Sequence, residues 1–250
     1  MPAPISFDPV AGDYDATRGG EERGAHFAAA IQPWLADGPV VEVGVGTGLV
    51  AMALAGLGVP VVGVDISAEM LSRAYGRLGP RLARGDARHL PVRDASVAAV
   101  VFPISLHVVG GVPAAFAEAA RVLRPAGRVV AVHDRPVIDE TDMDDPMRGL
   151  EARRSTMGRI DTAEALAAAA GAAGLTTVHQ GWTEPQTRPF TPNAMADGVE
   201  RRLWSYLWNV DDETWEREVR PVIVALRALP EPDRPRHPAM RHRLSVFARP

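Results

Sequence analysis

The nine residues VVEVGVGTG, Val40 to Gly48, constrain this chain more than any other stretch. Strand-forming residues, interrupted only by Glu42, run into glycines at alternate positions, Gly44, Gly46 and Gly48, and the apolar, helix-forming LVAMALA comes at once after them. The pattern predicts a buried strand, a tight turn and a helix N-terminus. Glycines in such a turn take conformations closed to residues with a Cβ and let a ligand lie against bare peptide. The N–H groups that open the helix have no intrahelical partner, so they are expected to face the ligand as donors. A ligand-free strand-to-helix turn has the same look, and only the residues downstream of it discriminate.

A second strand, VPVVGVDIS, ends at Asp65, roughly 20 residues past the glycines, the spacing at which a strand-end carboxylate accepts from a ribose diol. The competing role is helix capping, which Ser67 is placed to perform for AEMLSRAYGRL. A third short strand, PRLARGD, runs to Asp86. Its carboxylate can accept from an exocyclic amine, and Ala87 offers a backbone N–H beside it; together they match an adenine edge. Val97 to Phe102 gives strand four, broken by Pro103. Val112 to Leu123 reads as a helix, RPAGR as a turn and VVAVHD as strand five.

Upstream, FDPVAGDYDATRGG places Tyr14 and Arg18 at helical spacing, from which they could reach over the glycine turn. Ala25 to Leu35 reads as a helix that ends before the breaker Asp37-Gly38-Pro39. Downstream, Asp134 to Gly158 is long, acidic and poorly periodic, as a lid or binding loop would be. Thr162 to Ala173 is an Ala-rich helix closed by Gly174, and LTTVHQGW is a sixth strand. Two further helices come next, and Trp204 and Trp208, four apart, are expected on one helix face. RHRLSVFARP ends the chain as a seventh strand.

Composition removes whole classes of chemistry. There is no Cys, hence no thiol nucleophile, thiolate zinc site or disulfide. There is also no Lys: all 27 basic residues are Arg, which excludes Schiff-base lysines and a P-loop lysine. A net charge of −4 argues against a general nucleic-acid surface. The N-terminal MPAPISFDPVAGDYD has no basic and apolar signal regions, and no apolar run is long enough to span a bilayer, so a cytoplasmic protein is expected.

The ordered blocks VVEVGVGTGLVAMALA, VVGVDISAEMLSRA, RLARGDARHLPVRDASVAAVV and FAEAARVLRPAGRVVAVHD resemble the class I S-adenosylmethionine-dependent methyltransferases, especially the small-molecule type of ubiquinone and menaquinone biosynthesis. The resemblance covers roughly residues 5 to 134. It implies a doubly wound α/β fold, with a seven-stranded, mostly parallel sheet and an inserted helical lid. The expected layout is one domain over 1–250: an N-terminal cover 1–36, a cofactor-binding core 37–134, lid elements 135–160 and 184–230, and the last strand 240–250.

By the same resemblance, S-adenosyl-L-methionine is the cofactor and S-adenosyl-L-homocysteine its product. Glu42, Gly44, Val45, Gly46 and Gly48 would hold the methionine moiety, with Glu42 near its ammonium group. Asp65 would bind the ribose, Ile66 and Met70 would pack on adenine, and Asp86 with Ala87 would read its edge. Tyr14 and Arg18 look like a cover, Arg18 pairing with the carboxylate. Pro103 and His107 would lie beside the methyl group.

Early strand four carries Ala98 where family members often have an acidic residue. FPIS replaces the NPPY-type signature, which counts against an adenine or glutamine N-methylase. A small, hydrophobic or aromatic acceptor is the expected partner, with no nucleic acid and no membrane; a homodimer is left open.

Methyl transfer from a sulfonium needs alignment and exclusion of water, and a base only for a hydroxyl or acidic C–H acceptor. His107 is the first candidate base and His133 the second, although a lone strand-end His is often structural. His133, Asp134, Asp139 and Glu140 fit no ligand pattern, so no metal is expected. One rival is a member of the fold that binds the cofactor without methyl transfer, pericyclase-like or regulatory. The other, an NAD(P)-dependent oxidoreductase, is disfavoured because position 49 is Leu where G-x-G-x-x-G needs Gly, and no Tyr-x-x-x-Lys can exist.

Overall fold

Alternating apolar strands with both faces covered give this chain its frame. The computed structural model describes residues 7–156 and 160–250; the first six residues of the expected cover, and Gly158 at the end of the expected lid loop, lie outside the described residues. The chain runs through α1 (Tyr14–Arg18), α2 (Gly20–Ile31), β1 (Val40–Val43), α3 (Leu49–Gly56), β2 (Val61–Asp65), α4 (Ala68–Leu78), β3 (Leu82–Arg84), β4 (Val97–Pro103), α5 (Val112–Val122) and β5 (Leu123–Ile138). It continues through α6 (Asp144–Thr156), α7 (Ala163–Ala172), β6 (Thr176–Trp182), β7 (Gln186–Thr187), α8 (Pro192–Glu200), α9 (Asp212–Thr214), α10 (Arg220–Arg227) and β8 (Ala239–Ala248).

The strand order is β3-β2-β1-β4-β5-β8-β6, with β7 paired to β8. This is the doubly wound, mostly parallel sheet that was expected, enlarged to eight strands by the short β7. From β3 to β5 all neighbours are parallel, and β6 and β7 run antiparallel to β8. Chain order reverses between β1 and β4, and in open α/β sheets that reversal leaves a crevice beyond the carboxyl ends of the strands.

Successive residues of β4 and β5 point into different cores, so both faces of these strands are apolar, as a covered parallel sheet requires. Val100, Phe102, Val129 and Ala131 pack with α5 and α7, including Phe116, Ala119 and Leu166. Ala99, Val101, Val130 and Val132 pack with α2, α3 and α4, including Phe27, Leu54 and Leu78.

Two compact units emerge, one of Met1–Pro136, Ile160–Glu184 and His242–Pro250, the other of Val137–Arg159 and Pro185–Arg241. The second has its own core, in which Leu150, Val199, Leu207, Ile223 and Leu226 are buried. A π-helical stretch, Trp215–Val219, joins α9 to α10. Pro221 explains it: the ring lacks an N–H and would clash with a carbonyl one turn back, and the wider turn relieves both.

Local details depart from expectation. The helix read as Ala25 to Leu35 begins earlier, at Gly20, and ends as a 3-10 turn, Gln32–Trp34. β3 stops at Arg84, two residues before Asp86. RPAGR is not a free turn but a bulge inside β5: the register slips between Val97 and Ala99, and Ala126 has φ 62. Trp204 and Trp208 do not share a helix face, because Trp204 is extended, at φ −101 and ψ 136, ahead of a 3-10 turn.

Candidate functional site

The site forms at the β1/β4 reversal. β1 delivers Glu42 and the glycine turn, β4 delivers Pro103, and α1 and α2 close over them. A cleft of about 60 Å³ is lined by Tyr14, Arg18, Arg23, Glu42, Gly46 and Pro103 among others. That is room for a small charged group, well short of the several hundred Å³ of a pocket enclosing a whole nucleoside.

Each glycine of the turn has its own reason. Gly44 has φ +73, and a Cβ there would collide with Ser105, whose hydroxyl donates to the Val43 carbonyl at 2.6 Å. Gly48, φ +85, begins α3 and is packed against Ala74 and Leu78. Gly46, φ +55, borders open space.

Four N–H groups of the turn ahead of α3 are bonded within the chain. The Gly44 and Val45 N–H groups donate to the Val64 carbonyl, at 2.8 and 3.1 Å, and the Gly48 N–H to the Val45 carbonyl at 2.9 Å. The Gly46 N–H donates to Asp65 Oδ2 at 2.8 Å. These four donors are already engaged within the protein, so they do not await an anion.

The turn offers an acceptor instead. Glu42 is 2% exposed, and its Oε2 has no hydrogen-bond partner among the described residues. Burial drives its pKa well above the usual carboxylate range and the charge of Asp65 adds to this, while the Ala51 N–H in the first turn of α3 opposes it. A carboxylate therefore occupies the helix N-terminus at which a phosphate would otherwise be bound. A ligand suited to this cleft brings a cation to Glu42.

Tyr14 and Arg18 line the cleft, with the Arg18 guanidinium 5.8 Å from the Tyr14 ring centre. Sequence reading missed Arg23, Gly24, Phe27 and Thr47. Arg23 donates to the Arg18 carbonyl at 3.3 Å and stacks its charge over Phe27 at 5.0 Å. A Cβ on Gly24 would come within 2.8 Å of the Leu49 carbonyl oxygen, so only glycine lets α2 lie this close to the start of α3. The one signal available was a small residue at a helix position facing the turn.

Asp65 ends β2 beside the cleft, bound by the N–H groups of Gly46 and of Ser67, the latter at 2.9 Å. Burial raises its pKa, and those N–H groups pull it back down. Ser67 does cap α4, accepting from the Met70 N–H at 3.0 Å. Met70 is buried, and the Ile66 carbonyl accepts from Arg84 at 3.0 Å. Asp86 is paired within the chain. Both its oxygens are taken by Arg88, at 2.7 Å in the closest contact, and this holds its pKa down. Ala87 lies next to it, partly buried.

The two histidines separate. His107 is exposed on the 3-10 turn Leu106–Val108 that succeeds β4, outside the cleft lining. His133, the second candidate base, is a core residue of β5 with no exposed surface. Its Nδ1 lies 2.7 Å from the Asp161 carbonyl, which can only accept, so Nδ1 carries the proton; Nε2, 2.9 Å from Ser245 Oγ, accepts. With both nitrogens engaged in the core, it is not placed to take a proton from a substrate. Among the described residues no group of three or more His, Asp or Glu could hold a metal, and no helix is long and apolar enough to cross a membrane.

Residues 41–131 match the methyltransferase domain family. Over 131 residues the chain is 36% identical to a demethylmenaquinone methyltransferase of Mycolicibacterium paratuberculosis, covering 50% of this chain and 56% of that protein. A namesake from Tropheryma whipplei is 38% identical over 97 residues, 36% of this chain and 39% of its own. The chain thus spans about half or less of the length of these relatives. The geranyl diphosphate C-methyltransferase of Streptomyces coelicolor, solved with S-adenosyl-L-homocysteine, shares the fold at TM-score 0.55 and 16% identity, over 98% of this chain and 85% of that one. Residues 41–131 thus match a methyltransferase domain, the chain has the Rossmann-like fold of its solved methyltransferase neighbours, and in sequence it resembles the class I S-adenosylmethionine-dependent methyltransferases of menaquinone and ubiquinone biosynthesis.

Proposed function

We propose that this protein is an S-adenosyl-L-methionine-dependent methyltransferase acting on a small, hydrophobic or aromatic acceptor, with a quinone-like ring as the leading class. The observation that carries the reading is the buried, unpartnered Oε2 of Glu42 in a cleft that also holds Arg18 and Arg23. Such a cleft fits a free amino-acid group, with its ammonium on Glu42 and its carboxylate on the guanidinium groups. When bound, the cofactor supplies an electrophilic methyl on sulfur. Asp65 keeps lone pairs for ribose hydroxyls beyond its backbone bonds.

The same geometry weighs against the dinucleotide reading. A pyrophosphate needs free turn donors and a helix N-terminus clear of negative charge. Here the N–H groups of Gly44, Val45, Gly46 and Gly48 are engaged and Glu42 stands at that terminus. The names of the relatives support a demethylated quinone as acceptor.

Incubation with methyl-labelled cofactor and a panel of demethylated quinones, phenols and amines tests the proposal. Label should pass to a ring-containing acceptor. Binding of cofactor with no transfer to any acceptor would instead favour the non-methylating reading.

A further inference from the structure

The glycine turn is held from outside by two side chains that do not line the cleft. The buried Thr47 hydroxyl donates to Asp15 Oδ1 at 2.5 Å. The Thr47 carbonyl accepts from Arg77 Nη1 at 2.8 Å, and Arg77 Nη2 pairs with Asp15 Oδ2 at 2.7 Å. The three residues come from the turn, from α1 and from the last turn of α4, and close a ring of hydrogen bonds.

Helix α1 has only five residues. An isolated helix that short does not persist in water, so its place depends on contacts made elsewhere. Asp15 lies between Tyr14 and Arg18, the two α1 residues that line the cleft. Whatever fixes Asp15 therefore fixes those two side chains as well. Charge-assisted hydrogen bonds of this kind, partly shielded from water, are the stronger class.

We propose that Asp15 and Arg77 are positioning residues: by gripping Thr47 from both sides they latch α1 to the glycine turn and set Tyr14 and Arg18 over the amino-acid end of the ligand. The inference rests on the cleft being the cofactor site proposed above.

The test is calorimetric titration with two probes. One is S-adenosyl-L-homocysteine; the other is 5′-methylthioadenosine, which has the nucleoside but no amino-acid tail. In Asp15→Asn, a near-isosteric change, homocysteine-probe affinity should fall about tenfold, the scale of coupling in such networks, with methylthioadenosine affinity unchanged. Arg77→Met should do the same, and the double variant should lose no more than either single one. Thr47→Ser keeps the hydroxyl and should retain affinity, whereas Thr47→Val should not.

Equal weakening toward both probes would mean general loosening and would overturn the latch, as would unchanged affinity in Asp15→Asn or additive losses. Wild-type protein that binds neither probe would instead overturn the cofactor reading itself, and the latch with it.

Discussion

Glu42 is the residue at which stability and function oppose each other. Burial raises its folded pKa, so its contribution to stability is present below the ordinary carboxylate value and is lost as pH rises through the raised value. Wherever it is ionised, the buried carboxylate is a cost, which a ligand cation beside it would offset. Glu42→Gln should therefore stabilise the free protein at about pH 8 by about 1–3 kcal/mol, the scale of an unpaired buried polar group, with the gain fading toward pH 4. Urea unfolding at both pH values reads this directly. The same change should weaken S-adenosyl-L-homocysteine by about 1.5–3 kcal/mol, one lost charged hydrogen bond. A variant that is less stable at high pH would show that Glu42 is not held unpaired. Glu42 and Arg18 were legible in the sequence because the motif and the helical spacing sit within a few residues. Asp15, Thr47 and Arg77 were not: their bonds join positions 32 and 62 apart in the chain, and no local pattern marks them.

At the scale of elements, the glycine turn makes a prediction that separates folding from binding. Gly44 needs both its positive φ and the space now filled by Ser105, so Gly44→Ala should cost about 2–4 kcal/mol of stability, strain and overpacking combined. Gly46 needs only its φ and faces open space, so Gly46→Ala should cost about 1–2 kcal/mol while setting a methyl group at the cleft. Denaturant unfolding and calorimetry together check the pair. The Gly46 variant should remain folded and bind S-adenosyl-L-homocysteine poorly; tight binding would move the amino-acid tail elsewhere.

Strands were readable because apolar residues in covered parallel strands dominate their own segments. The Trp204 segment was not, since a tertiary contact overrides its helical spacing. Arg202 takes φ 51 and donates to the carbonyls of Leu207 and Val210 at 3.0 and 2.8 Å, while its charge rests 4.1 Å over Trp215. Those bonds close a loop where propensity alone would continue a helix. Trp208 then donates to the Arg202 carbonyl at 2.9 Å, a packing role within the second unit.

At the scale of the whole molecule, strand order decides where a ligand can act. The reversal between β1 and β4 puts Glu42, the glycine turn and Pro103 at one crevice, and every cleft-lining residue belongs to the first compact unit. The doubly wound plan could be inferred from strand and helix alternation, but the second unit's core could not, because its members come from two stretches separated by α7 and β6. Placement within one unit gives a last expectation. S-adenosyl-L-homocysteine at about one hundred times its Kd should add about 2.7 kcal/mol of stability, a rise in Tm of about 5–10 °C for a chain of this size. Hydrogen exchange should slow chiefly in residues 14–27 and 42–50, the segments that form the cleft. NADH at the same concentration should shift neither readout, because its pyrophosphate would meet the Glu42 carboxylate at a helix terminus whose neighbouring turn donors are already bonded. Protection of the glycine turn by NADH, or a shift with neither ligand, would remove the amino-acid cleft from the account and leave the fold without its proposed cofactor.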